Sequence, residues 1–316
     1  MKKLILSAAA CLMLFSCQNE QTESQNDSTN AITQRKCATQ DVLEAQLKAD
    51  PTLAIRMNQI EAFTQNALLT KRLVNGKVEI PVVVNVLYKT AAENISATQI
   101  QSQIDVLNKD FNALNSDYNS VPALFSGVKA NVGITFVLDQ VIRKSTTKTS
   151  WGTADAMKKT SKGGIAPTSP TTKLNLWVCT IGGGILGYAQ FPGGASATDG
   201  VAIDSKYFGL SGSANAPYNL GRTATHEVGH WMNLRHIWGD ATCGSDLVSD
   251  TPTHNDANYG VPVYPHYSTC TGTPVEMTMN YMDYTDDNAM YMFSIGQKNR
   301  MSAIFVSGGA RAAFGI

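Results

Sequence analysis

The segment His226-Glu227-Val228-Gly229-His230-Trp231-Met232-Asn233-Leu234-Arg235-His236 is the point from which the rest of the chain can be read. Two histidines four residues apart on a helix project from one face, so His226 and His230 can grip a single metal ion. Glu227, beside the first of them, can reach a water held by that ion. His236 follows His230 by six residues, too far round to join the pair if the helix continued, so the chain has to turn. Asn233 is placed to make the turn, because Asn tolerates the left-handed conformation better than almost any other residue with a side chain. Three histidines would leave a fourth coordination position open, which marks a catalytic zinc site and not a structural one.

The chain has 316 residues and only 5 histidines, all between His226 and His266. Everything before His226 therefore lacks a histidine ligand or base. His254 and His266 show no paired spacing and are expected at the surface. Lys+Arg and Asp+Glu both number 25, so there is no basic excess of the kind a nucleic-acid footprint needs. The length suits one substantial domain with accessory segments.

At the N-terminus, Lys2 and Lys3 precede an apolar run from Leu4 to Phe15, the length of a secretory signal core and too short to span a bilayer. The run ends in Leu14-Phe15-Ser16-Cys17, which resembles a bacterial lipobox with Cys17 as the lipidated residue. A polar Gln/Asn/Ser/Glu/Thr stretch follows, suited to a tether. Residues 1–17 thus read as a lipoprotein signal and 18–34 as the tether. The protein is expected in the bacterial cell envelope, at the outer membrane or cell surface, touching membrane only through its anchor; plain secretion is the alternative. Export permits disulfides. Cys37, Cys179, Cys243 and Cys270 remain after the signal, and four cysteines allow three connectivities.

From Asp41 to about Leu69 apolar residues recur at helical spacing, and Pro51 divides them into two helices. Lys77 to Lys89 is rich in β-branched residues and reads as a central strand. Ser96 caps a helix with Ile100, Ile104, Leu107 and Phe111 on one face. Strands are expected at Val132–Ile142, Lys173–Thr180 and Gly200–Asp204, with an edge strand around Leu186–Phe191. A helix covers roughly Leu220 to Asn233. The opening is α/β, and the edge at Gly187, Tyr188 and Ala189 could pair with an extended peptide.

The motif and the residues downstream of it resemble the metzincin metallopeptidases, with Asn233 where most members have Gly and with Asn280-Tyr281-Met282-Asp283-Tyr284 as the Met-turn. The run HEVGHWMNLRHIWGD, Ser249-Asp250-Thr251-Pro252, NYMDYTDD and the C-terminal Gly296-Gln297-Lys298-Asn299-Arg300-Met301 narrow the resemblance to the pappalysin-type (cytophagalysin, ulilysin-like) family. It implies a mixed α/β fold: a twisted, mostly parallel sheet with an antiparallel edge strand, a backing helix, the zinc helix and an irregular lower part. It also implies an endopeptidase in which His226, His230 and His236 bind catalytic zinc and Glu227 is the general base. Met282 would floor the metal, Tyr284 would hydrogen-bond the reaction intermediate, and Cys243 and Cys270 would form a disulfide. By the same resemblance Cys37 belongs to a latency prosegment and occupies the open zinc position. That prosegment would span 35–72, with its boundary anywhere between 56 and 72, and the catalytic domain 73–316. Related enzymes bind calcium near Asp246, Asp250 and Thr251. Cys179 reads as a buried small hydrophobe.

The expected partner is a protein or peptide substrate, handled by a monomer. Competing readings are a zinc-containing lipoprotein that only binds, and a zinc hydrolase of a non-peptide substrate. Residues 226–290 hold nine acidic side chains against Arg235 alone, among them Asp283, Asp286 and Asp287. A preference for basic side chains just after the scissile bond is expected from that imbalance.

Overall fold

The structure is a computed structural model and describes residues 34–70 and 78–314. The expected signal, Cys17, nearly all of the tether and the Lys71-Arg72 pair lie outside the described residues. The described residues form nine strands: β1 (Val78–Tyr88), β2 (Lys129–Ala130), β3 (Ile134–Ser145), β4 (Leu174–Cys179), β5 (Gly187–Ala189), β6 (Val201–Asp204), β7 (Tyr259–Gly260), β8 (Tyr284–Thr285) and β9 (Phe293–Ser294). The α-helices are α1 (Thr39–Ala49), α2 (Thr52–Leu69), α3 (Ala97–Phe111), α4 (Arg222–Trp231) and α5 (Ile295–Ala303).

Five strands form one sheet in the order β3-β1-β4-β6-β5. All neighbours are parallel except β5, which runs antiparallel to β6 at one edge. The β-branched run of β1 suits its interior position: Val82, Val84 and Val86 face the main core while Leu87 faces a second cluster with Trp177 and Cys179. A strand buried on both faces has no need of polar alternation, which is why this one reads as a continuous apolar run.

Helix α3 starts where Ser96 accepts the Gln99 amide, and its Ile100, Ile104, Leu107 and Phe111 are fully buried against the sheet. Each such side chain contributes about 2 kcal/mol by leaving water. Behind it lies α4, every residue of which is buried. Asp110 of α3 accepts from Thr225 of α4 at 2.8 Å, and Arg222 forms a two-point pair with Asp117. The backing helix thereby sets the position of the helix that carries the HExxH motif.

The lower part has little regular structure and is cross-tied. Cys243 and Cys270 are bonded. Ser294 and Gln297 form a reciprocal cap on α5, and Gln297 also exchanges two hydrogen bonds with Asn280 of the Met-turn. Strands β7 and β8 pair parallel beside it. Cys179 lies buried in β4, as its strand context implies.

Candidate metal centre and active site

Helix α4 stops because the left-handed turn expected of Asn233 is made, at φ 73°. The Leu234 amide folds back to the Gly229 carbonyl at 3.0 Å, and the chain returns His236 to the face that already presents His226 and His230. His230 Nε2 lies 3.2 Å from His226 Nε2 and 3.0 Å from His236 Nε2. Each Nδ1 has its own acceptor: Tyr281 O at 2.7 Å, Leu234 O at 2.8 Å, and an Asp240 carboxylate oxygen for His236. With Nδ1 as the donor in each ring, three Nε2 lone pairs converge where they would repel one another without a cation. The separations approach the ~3.3 Å expected between ligands of a tetrahedral zinc with ~2.05 Å Zn–N bonds.

Cys37 completes the cluster. Its Sγ and the three imidazoles place their ligand atoms within 4.8 Å of one another, the one such group of His, Cys, Asp or Glu among the described residues. Burial pushes His226 well down and His230 to about 3, which favours the neutral form that a metal ligand needs in these two rings. Burial, and next the Glu227 carboxylate, push the Cys37 thiol well up. A cation among the histidines would supply the charge that stabilises its thiolate. The donor set therefore fits zinc.

Glu227 is buried, and that burial pushes its carboxyl up to about 7. Its Oε2 accepts from Thr39 Oγ1 at 2.8 Å and from Cys37 Sγ at 3.3 Å. Met282 packs its sulfur against Gly229, which lies between His226 and His230 on α4. A Cβ at Gly229 would sit 2.5 Å from that sulfur, so glycine is required there for the helix to rest on the Met-turn. The Ile237 amide donates to Met282 O at 3.1 Å, tying the returning strand to the same turn. Tyr284 stands edge-on to His236 at 4.9 Å between ring centres, and its hydroxyl donates to Cys37 O at 3.2 Å.

The segment from Arg35 to Thr39 lies along the free edge of β5. Leu186 N donates to Lys36 O at 2.9 Å, Ala38 N to Gly187 O at 3.0 Å, and Ala189 N to Thr39 Oγ1 at 2.9 Å. The pairing of Cys37 with Gly187 is parallel. At one end Arg35 Nη2 meets Asp287 Oδ1 at 2.6 Å, with Arg35 also donating to Thr285 O and Thr223. At the other end Leu43 and Leu53 pack on Phe191.

Several elements differ from what the sequence suggests. His254 is fully buried and not at the surface: its Nδ1 faces Asp283 at 3.5 Å and its Nε2 accepts the Met277 amide at 3.0 Å. The buried carboxylates of Asp283 and Glu276 need partners, and a histidine between them with Asn258 satisfies that need. His266 is half-exposed and reaches Glu276 at 3.0 Å. Asp283 is also fully buried in this network, where its Oδ1 accepts the Asn258 backbone amide at 2.8 Å. In the expected calcium loop the acids are met by protein donors. Thr251 Oγ1 donates to Asp246, and Asp250 accepts from Ser294 Oγ and the Gly296 amide, which places it at the start of α5.

Sequence reading missed Arg35, Thr39 and Asp240. An acid four residues after the third histidine was the one available signal; the other two act across more than 180 residues.

A sheet with one antiparallel edge strand, an HExxH helix ended by a left-handed turn at Asn233 and three convergent imidazoles define a metzincin zinc metallopeptidase. A family model described as pregnancy-associated plasma protein-A matches residues 178–306. An extracellular metalloprotease of Coccidioides posadasii is 36% identical over 222 residues, 67% of this chain and 70% of that protein. One from Pyricularia oryzae is 34% identical over 274 residues, covering 84% and 81%. The chain belongs to the pappalysin-type family of zinc metalloendopeptidases. Among solved structures, Tannerella forsythia mature mirolysin in complex with a cleaved peptide is 42% identical with a TM-score of 0.74, covering 77% of this chain and 97% of that one. A Tannerella forsythia promirolysin mutant is 39% identical with a TM-score of 0.81, covering 88% and 96%.

Proposed function

We propose that this protein is an exported endopeptidase made as a latent precursor, with His226, His230 and His236 as its zinc ligands and Glu227 as general base. The observation that carries the reading is the segment Arg35–Thr39, which fills the β5 edge and brings Cys37 to the histidines. Its parallel direction is the reverse of an antiparallel substrate strand, so it blocks the cleft without presenting a bond in the orientation that is cut.

With residues 35–72 removed, a substrate adds antiparallel to Gly187, Tyr188 and Ala189. Zinc, when bound, supplies Lewis acidity toward the attacking water and the scissile carbonyl. Glu227, freed of Thr39 and Cys37, takes a proton from the water and delivers it to the leaving amine. The Tyr284 hydroxyl, freed of Cys37 O, turns its donor to the developing oxyanion. Asp287, freed of Arg35, receives a basic side chain immediately after the scissile bond. Its Oδ2 stays held by the Leu220 and Arg222 amides, which keeps Oδ1 aimed at the cleft.

For the boundary, Arg56 lies inside α2 and is tied to Asp50 and Gly193 O, so a cut there would need the helix to open. The Lys71-Arg72 pair, which follows α2 in the sequence, suits processing better, and the relative's mature form matches a smaller share of this chain than its precursor does. The chain is read as 1–17 signal, 18–34 tether, 35–72 prosegment and 73–316 catalytic domain. Lipidation at Cys17 and an envelope location rest on the sequence; the relatives named extracellular favour export in general. The calcium expectation rests on resemblance alone, and calcium has no part in the mechanism.

The deciding experiment is Glu227→Ala. It should abolish cleavage of a denatured protein while leaving zinc near one per chain. Full activity in that variant would sink the mechanism. With the native enzyme, fragments that vanish with a chelator support a peptidase, and no fragments from a folded, zinc-loaded, processed sample would favour a binding module or a hydrolase of other substrates. N-terminal mass spectrometry of active material locates the cut and any lipid.

A further inference from the structure

Arg300 of α5 is only 1% exposed, yet both terminal nitrogens of its guanidinium are hydrogen-bonded to the N-terminal segment and not to the catalytic domain. Nε donates to Asn233 O at 2.8 Å, fixing the group beside the turn that follows the HExxH helix. Its two terminal nitrogens hold both oxygens of Glu61 on α2, at 3.0 and 2.5 Å. A cavity of about 280 Å³ opens at this pair, walled on one side by residues of α1 and α2 such as Leu43 and Met57 and on the other by Phe191, Asn233, Arg235 and Asp240. Arg235 is close enough to lower the Glu61 carboxyl together with Arg300. Asn233 Nδ2, 7% exposed as a residue, is a donor without a hydrogen-bond partner among the described residues. On the catalytic-domain side the donors facing this pocket are the Arg300 terminal nitrogens, Arg235 and the Asn233 amide, and the one carboxylate beside them, Asp240, is held by His236.

The pocket's place along the cleft is set by β5. That strand runs from Gly187 at the metal toward Phe191, and a substrate pairing antiparallel to it has its N-terminal residues at the Phe191 end. Phe191 packs edge-on to His230 at 5.5 Å between ring centres, so the pocket adjoins the site. Asp287 lies toward the opposite end, where the Arg35–Thr39 segment begins.

We propose that Arg300, with Arg235 and the Asn233 amide, forms a subsite for an acidic side chain of the substrate on the N-terminal side of the scissile bond, and that Glu61 occupies it in the precursor. The inference rests on the reading of residues 35–72 as a removable prosegment. A planar guanidinium already anchored at Nε is suited to two-point recognition of a carboxylate and loses little freedom in making it. The enzyme would then select chains bearing an acid before the cut and a base after it, and the precursor would carry both stand-ins, Glu61 and Arg35.

The test is a peptide library with Arg fixed after the scissile bond, digested by the full-length protein after its own processing. Asp and Glu should be enriched at one position two to four residues before the cut, by roughly tenfold in kcat/KM over Asn and Gln. Arg300→Gln should erase that enrichment, read as the ratio of acidic to neutral peptides cleaved by the same variant, so that any loss common to both peptides cancels. Because Arg300 is buried, exposed Arg235→Ala provides a second variant, which should reduce the enrichment severalfold without affecting folding. Glu61→Gln should speed processing of the precursor. If active wild-type material lacks residues 35–72 yet shows no acid enrichment, or if Arg300→Gln keeps it, the subsite is refuted. If mass spectrometry finds residues 35–72 still attached to active enzyme, Glu61 keeps the pocket and the precursor reading falls together with this one.

Discussion

Arg35 and Asp287 meet at 2.6 Å with both side chains closed to solvent, although 252 residues separate them in the chain. A buried pair of this kind is costly to break one-sidedly, on the order of 3 kcal/mol, because the surviving charge is left unpaired. Arg35→Ala should therefore weaken the hold of the N-terminal segment and speed activation of the precursor. In the processed enzyme, Asp287→Asn should lower kcat/KM for substrates with Arg after the scissile bond by roughly 30-fold or more relative to neutral residues. An unchanged ratio would remove Asp287 from that role.

Cys37 tests latency from the other direction. With the thiol gone, the fourth coordination position is open to water even while Arg35 and Thr39 stay in place. Cys37→Ala precursor should show measurable peptidase activity before processing, assayed with a short peptide. A variant precursor as silent as the wild type would refute the thiol as the blocking ligand.

Stability should carry a pH signature from Asp110. Burial raises its native pKa from 3.8 to about 6, against the lowering influence of Arg222 and Thr225. The folded protein then binds more protons than the unfolded chain between these values. The stability advantage of the wild type is complete below about 3.8 and is lost as pH rises through about 6, a change on the order of 3 kcal/mol. Asp110→Asn cannot titrate, so in the inactive Glu227→Ala background its stability relative to wild type should rise by that order across the window. Urea unfolding at several pH values checks this, and a pH-independent difference would overturn it.

The bond between Cys243 and Cys270 spans 27 residues of the loop that follows the zinc helix. Loop-closure entropy of that length corresponds to about 3.5 kcal/mol. The paired Cys243→Ser and Cys270→Ser variant should lose stability by that amount in denaturant unfolding. Nicking within residues 243–270 should appear well before the sheet is cut. A loss under about 1 kcal/mol would mean the loop is held by other contacts.

The signals legible in the sequence were those local in the chain. Helical spacing put His226 and His230 on one face, Asn233 announced the turn that returns His236, and the β-branched run of β1 marked an interior strand. Those signals come from backbone geometry over a few residues. Pairings across hundreds of residues leave no such mark. Arg35 with Asp287, Thr39 with Glu227, Glu61 with Arg300, and His254 among Glu276 and Asp283 became visible only once the sheet and helices had brought distant segments together. His254 shows the limit most plainly: nothing beside it in the chain signals burial, and only the need of two desolvated carboxylates for a partner draws it inside. Sequence alone determined which residues can hold a metal and which class of fold presents them. Tertiary structure decided what covers that metal, because the groups that cover it are recruited by charge and burial and not by spacing.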